Sequence, residues 1–261
     1  MSRCDTKYPI MLVHGIGGDD RAGKRYWGRI PAALRDNGAR VFFGGQDSNA
    51  SAENNALKLK ATALRMLKET GAEKLNIIVH SKGGLDSRYM ISRLNMAERV
   101  ASLTTLSTPH HGSETIDFLM KANGAMRLVG RAADAVYRLL GDENPDTYSC
   151  FKLFTTAGAE RFNAEVPDAE GVFYQSFGFV NHRFRDPVEG FKSFVVKIVE
   201  GENDGMVTPS SAVWTNYQGV RTSSHREIVD MRGNKRRSAG EEAVITEFYV
   251  NLAEKLKENG F

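Results

Sequence analysis

The stretch IIVHSKGGLDSRY, residues 77–89, constrains this chain more than any other. Ile77, Ile78 and Val79 are apolar and β-branched, and they run through His80, Ser81 and Lys82 directly into the paired glycines Gly83 and Gly84. That pattern predicts a buried strand turning sharply into a helix. A serine at such a turn projects its hydroxyl clear of the sheet. The helix start beside it offers main-chain N–H groups, and the positive end of a dipole, to a developing oxyanion.

The flanking sequence repeats the same rhythm. YPIMLVHGIGG (8–18) is an apolar run ending in glycines, the mark of a strand followed by a loop where backbone approaches something closely. A helix is expected over 26–38, with Trp27, Ile30, Ala33 and Leu34 apolar and Gly38 suited to its C-terminus. ARVFFGG then reads as a second strand, and Ser51 can cap a long helix through Glu69 that carries Leu57, Ala61, Leu64 and Leu67. AEKLNIIVHS supplies a third strand, GGLDSRYMISRLN its helix, and RVASLTTLSTPHHGS a further strand and loop.

Strand and helix in this alternation imply an α/β fold with a mostly parallel central sheet flanked by helices. Between 113 and 168 the pattern is helical without a convincing strand; AMRLVGRAADAVYRLL (125–140) places Met126, Val129, Ala133, Val136 and Leu140 on one stripe. Strands are expected again at 171–179 and at FKSFVVKIVEG (191–201), and a helix over 240–257. A chain of 261 residues suits one large domain over 1–261 better than two with separate cores.

Composition narrows the function classes. Thirty-five Lys and Arg against 32 Asp and Glu leave a formal charge of +3, too little for an electrostatic reader of nucleic acid. The one basic cluster, RGNKRR (232–237), reads as a solvated loop. Two cysteines, Cys4 and Cys150, make no disulfide framework and are taken as free thiols. No apolar run approaches the roughly 20 residues of a transmembrane helix. The start of the chain shows no leader pattern, so a cytoplasmic location is expected, or a secreted one if a leader has been removed.

In open parallel sheets reactive groups collect at the carboxyl ends of strands. Loops there carry HGIGG (14–18), Ser81, EGENDGMV with Asp204, and SSHREIVD with His225. A serine hydroxyl needs a neutral imidazole to take its proton and a carboxylate to orient that imidazole, and Ser81, His225 and Asp204 are those three types. Glu202 and Asp230 are the alternative acids. His110 and His111 lack zinc-like ligand spacing and are expected to orient the TPHHGS loop. The oxyanion needs two main-chain donors, for which the N–H groups of Lys82 and Ile16 stand in the right loops.

PIMLVHGIGG, IIVHSKGGLDSRY, TPHHGS, EGENDGMV and SHREIVD, in this order from about residue 8 to 231, resemble the corresponding blocks of bacterial triacylglycerol lipases and related esterases of the α/β-hydrolase fold. The resemblance implies Ser81 as nucleophile, Asp204 as acid, His225 as base, and Ile16 and Lys82 at the oxyanion hole. It implies a serine hydrolase that cleaves carboxylic esters of apolar acyl groups, acting on small-molecule or lipid esters with no required cofactor. An acyltransferase or thioesterase using the same triad, or a silent hydrolase-like binding protein, is the alternative. The departure is Val79, where the family usually has glycine or alanine.

The resemblance also implies a helical cap or lid at about 114–168. There Phe118, Leu119, Met120, Met126, Val129 and Val136 would face an acyl chain, with transient contact to a lipid interface. Many such lipases hold a calcium ion near the histidine loop; Glu227, two positions after His225, and Asp186 are the ligands that would supply it here.

Overall fold

The structure is a computed structural model and describes residues 2–20, 26–182, 187–231 and 239–261. Its strands are β1 (Ile10–Val13), β2 (Val41–Phe43), β3 (Leu75–His80), β4 (Val100–Leu106), β5 (Phe173–Val180) and β6 (Tyr217–Thr222). They form one six-stranded sheet in the order β2-β1-β3-β4-β5-β6, every neighbouring pair parallel. Helix α1 (Ile30–Asp36) joins β1 to β2, α2 (Ala52–Thr70) joins β2 to β3, and α3 (Gly83–Arg93) joins β3 to β4. Four helices, α4 (Glu114–Met120), α5 (Asn123–Leu139), α6 (Thr147–Leu153) and α7 (Thr156–Glu165), lie between β4 and β5. After β5 come α8 (Pro187–Glu200), the single turn α9 (Pro209–Ala212), β6 and finally α10 (Ala239–Glu258).

Strands β1, β3 and β4 are buried along their whole length, because helices cover both faces of a parallel sheet. The period-two alternation then sorts side chains between two cores. Ile10, Leu12 and Ile78 pack with Trp27, Ile30 and Leu34 of the α1 side and Tyr249 and Ala253 of α10. Met11, Val13, Ile77 and Val79 pack with Leu59, Ala63 and Met66 of α2 and Met90 and Ile91 of α3. Ser51 caps α2 as expected, its hydroxyl accepting from Asn54 N–H, and Gly71 ends the helix in the left-handed region at φ 67°. The buried face of α2 is not the leucine stripe, however: Leu57 and Leu64 are exposed.

One expected strand is a helix, and one strand was not expected. Residues 191–201, read as a strand, lie in α8 and the turn after it. Dense β-branched residues gave the strand signal, but Phe191, Phe194, Val195, Ile198 and Val199 also recur at helical spacing, and a short apolar run does not separate the two states. Ser193 and Val196 face inward while Phe191 and Ile198 are each 68% exposed. Conversely β6, YQGVRT, is a polar edge strand that only its pairing with β5 creates.

Val79 is fully buried and pairs with Val13 on one side and Thr105 on the other. Its side chain fills the α2/α3 core instead of crowding the turn. Val79→Ala is therefore expected to lower the unfolding free energy by about 2 kcal/mol through lost burial and a residual cavity, read as a lower urea midpoint at unchanged m.

Candidate active site

After β1 the chain turns to β2 on one side, and β3 returns to the other side of β1. Where strand order reverses like this, the loops at the carboxyl ends part and leave a crevice. The loop after β1 (His14–Gly18) and the turn after β3 face each other there.

Ser81 follows β3 directly and has φ 53°, in the left-handed region that non-glycine residues seldom occupy. Its N–H donates to Leu106 O (3.0 Å), and its carbonyl accepts from Gly84 N–H (3.0 Å) and Thr108 Oγ1 (2.8 Å). Close approaches fall on glycines around it. A Cβ at Gly15 would stand 2.7 Å from Ser81 Cβ, one at Gly83 2.5 Å from His14 O, and one at Gly84 2.2 Å from Thr108 Oγ1. Small residues are thus required at 15, 83 and 84 and not at 79, which is why valine is accommodated there.

Most main-chain N–H groups of the first loop are spent on protein acceptors. Gly15 N–H is taken by the Tyr26 hydroxyl (2.8 Å), Gly17 N–H by Ser48 O (2.9 Å) and Gly18 N–H by Gly15 O (3.1 Å). Among the described residues, Ile16 N–H and Lys82 N–H donate to no protein group. The Lys82 side chain runs away from the crevice, and its Nζ pairs with Asp86 Oδ1 at 2.6 Å with both side chains buried. Burial pushes the Asp86 carboxyl above its usual range, against the pull of Lys82 and of Asn55, whose Nδ2 donates to it at 2.9 Å. The pair fastens the first turn of α3 from below.

Asp204 sits in the loop after α8, not directly after a strand, and reaches the end of β5 because Asn181 N–H bonds Asn203 O at 3.0 Å. Its carboxylate is fully buried and fully engaged. Oδ1 accepts from Met206 N–H (3.0 Å) and Val207 N–H (2.9 Å); Oδ2 accepts from the Ser107 hydroxyl and from His225 Nδ1 at 2.7 Å. A carboxylate at Nδ1 fixes the proton there and leaves Nε2 as the acceptor. The ring of His225 packs on that of His80, centroids 4.3 Å apart, and His80 is the neighbour of Ser81.

The alternative acids are occupied elsewhere. Glu202 is on the surface with Lys197 and His182, and Asp230 takes the Arg29 side chain and Arg29 N–H. His110 is buried between Arg88 and Thr105 and stacks on Trp214, while His111 Nε2 bonds Val213 O. Glu227 closes a reciprocal cap with Ser224, Oε2 accepting Ser224 N–H (3.1 Å) and Ser224 Oγ accepting Glu227 N–H (3.3 Å). Asp186 and the RGNKRR cluster lie outside the described residues. No group of three or more metal-ligating side chains gathers among the described residues.

Phe118, Leu119, Val129 and Val136 are exposed on α4 and α5, and Met120 and Met126 are half-buried. Ile16 and Ile116 pack against a buried cluster that includes Leu85, Phe154 and Phe162, and a Cβ at Gly17 would stand 3.4 Å from the Tyr137 hydroxyl. Tyr26, Ser107 and Tyr137 were not among the sequence candidates. Only the short spacing of Ser107 from TPHHGS hinted at any of them.

A family model described as the alpha/beta hydrolase fold matches residues 8–126. The triacylglycerol lipase of Vibrio cholerae is 31% identical over 232 residues, covering 79% of this chain and 74% of that protein. The triacylglycerol lipase of Pseudomonas fragi is 29% identical over 292 residues, covering 98% of each. The crystal structure of Staphylococcus hyicus lipase superposes with a TM-score of 0.74 at 16% identity, over 99% of this chain and 97% of that one.

The histidine loop is tied to the fold by Arg29–Asp230 (2.5 Å), and Arg29→Ala is expected to remove about 1–3 kcal/mol locally. Hydrogen exchange should then speed up over 223–231 ahead of the sheet. With those ties in place, a chelator is expected to leave the unfolding temperature unchanged; a fall that added calcium reverses would establish the metal site at Glu227.

Proposed function

Since the chain belongs to the lipase and esterase family of the α/β-hydrolase fold and is a carboxylic ester hydrolase, we propose that Ser81, His225 and Asp204 form its acyl-transfer triad. The observation that carries this reading is the buried Asp204–His225 bond beside the left-handed turn at Ser81. Ser81 Oγ attacks the ester carbonyl carbon while His225 Nε2 takes the hydroxyl proton, and the new oxyanion is held by the N–H groups of Ile16 and Lys82. The C–O bond to the alcohol breaks as His225 returns the proton to the leaving oxygen. Water then adds to the acyl-enzyme, giving its proton to His225, and Ser81 recovers that proton as the acid leaves. No organic cofactor takes part in this sequence. Among the described residues Ser81 and His225 share no hydrogen bond, and on this reading the bond forms when substrate is bound.

Triacylglycerol lipases among the relatives, and the apolar outer surfaces of α4, α5 and α8, support an apolar acyl ester as substrate and a lipid surface as its source. Helices α4 to α7 serve as the cap: α5 reaches the glycine loop through Tyr137, and its outer residues Leu128, Val129 and Leu139 meet the interface. Among the described residues no helix is long and apolar enough to cross a membrane. Cys4 and Cys150 are free and buried, so the fold suits a cytoplasmic or a secreted setting alike.

Ser81→Ala is expected to lower turnover of a soluble p-nitrophenyl ester by about a millionfold, with folding unchanged. Retention of even a hundredth of the rate would sink the nucleophile assignment. Leu128→Asp is expected to cut hydrolysis of an emulsified long-chain ester roughly tenfold while sparing the soluble short ester, because it charges only the face that meets lipid; equal losses on both would mean that the helix is scaffold.

A further inference from the structure

Two buried side chains that take no part in the ester chemistry join the two loops of the site. The Tyr26 hydroxyl accepts Gly15 N–H at 2.8 Å and shares a second hydrogen bond with His80 Nδ1, 2.6 Å away. Gly15 precedes Ile16, whose N–H is the oxyanion donor of the first loop, and His80 precedes Ser81. The His80 ring is in turn the surface on which His225 packs, centroids 4.3 Å apart at 48°. Tyr26 is held on its other sides by His14 (5.5 Å) and Trp27 (5.3 Å) and is 4% exposed. One hydroxyl therefore links the oxyanion loop, the nucleophile strand and the histidine.

We propose that Tyr26 and His80 are positioning residues that hold the oxyanion loop, Ser81 and the His225 ring in register for acyl transfer. This rests on the triad reading above. On this reading Nδ1 accepts the Tyr26 proton, which places the ring proton of a neutral His80 on Nε2. Neutrality suits the reaction, because His225 becomes an imidazolium in ring contact, and a second cation so close would oppose it. Burial, then the neighbouring imidazoles of His225 and His14, hold His80 well below the ordinary histidine range, a main-chain contact with His225 working the other way. The glycine loop depends on the same bond: released from Tyr26, Gly15 is free to shift and carries Ile16 N–H off the position the oxyanion takes. Displacements on the order of 1 Å in such a site cost about a hundredfold in rate.

The test is steady-state kinetics on a soluble short-chain p-nitrophenyl ester, with fluorophosphonate titration to count competent serines. Tyr26→Phe keeps the ring and removes both bonds; it is expected to lower kcat about 10- to 100-fold, with KM within about threefold of the parent and the titratable fraction unchanged. His80→Leu should match it, and the double variant should lose no more than the worse single, since both break one linkage. His80→Asn, whose amide oxygen takes the place of Nδ1, should recover about tenfold of the kcat that His80→Leu loses. The proposal is overturned if kcat stays within about threefold in Tyr26→Phe and His80→Leu, if their losses multiply in the double, or if the loss follows only the titratable fraction. Should Tyr26→Phe fail to fold, the contrast between His80→Leu and His80→Asn decides alone. A parent protein that neither turns over the ester nor takes up fluorophosphonate overturns the triad reading, and the pair's role with it. That outcome is distinct from an active parent whose variants are unimpaired.

Discussion

The left-handed backbone of Ser81 is the constraint on which the rest of this site depends. A non-glycine residue at φ 53° costs roughly 1–2 kcal/mol, and such a conformation persists only where its surroundings over-determine it. Here they do. The Ser81 N–H is spent on Leu106 O at the end of β4, its carbonyl is held by Thr108 and Gly84, and Gly15 presses against its Cβ. Ser107, the first residue past β4, is also left-handed at φ 51°. Its hydroxyl bonds the same Asp204 oxygen as His225 does. Two strained turns on adjacent strands therefore bring Ser81 and the hydroxyl that holds Asp204 to the same end of the sheet.

The electrostatics follow from burial. Asp204 is fully buried, and its two oxygens accept from two N–H donors, a hydroxyl and the imidazole. Four donors on two oxygens fix the direction of the fourth, and His225 N–H returns a bond to Asp204 O at 2.8 Å. The Lys82–Asp86 pair solves the opposite problem, burying a cation next to Ser81 in sequence yet pairing it with a carboxylate one turn on. On the proposed mechanism, the developing negative charge would meet main-chain dipoles that need no reorganisation when it forms.

Much of this was legible in the sequence. Apolar runs marked β1 and β3, Ser51 marked the start of α2, and the glycines after β1 marked a close approach of backbone. Other features depend on tertiary partners. Strand β6 is polar and exists by pairing with β5; α8 was misread because β-branched density and helical spacing coincide in one apolar run. Asp204 could not be separated from Glu202 or Asp230 by spacing, since only the fold shows which carboxylate is buried against His225. Val79 departs from the family pattern and proves to be core, because the tight contacts of the elbow fall on other positions. Tyr26 carried no signal, being one aromatic among many until the fold brings it to Gly15 and His80.

The central claim is a covalent acyl-enzyme on Ser81, and the most direct measurement is rapid mixing of the protein with an excess of an activated soluble ester. The p-nitrophenol released in the first turnover is compared with the mass of the acid-quenched protein. The account expects a burst close to one equivalent of competent sites and a single acyl group on the peptide containing Ser81. A linear release with no acyl adduct under conditions where acylation outruns hydrolysis, or an adduct on another residue, would contradict it.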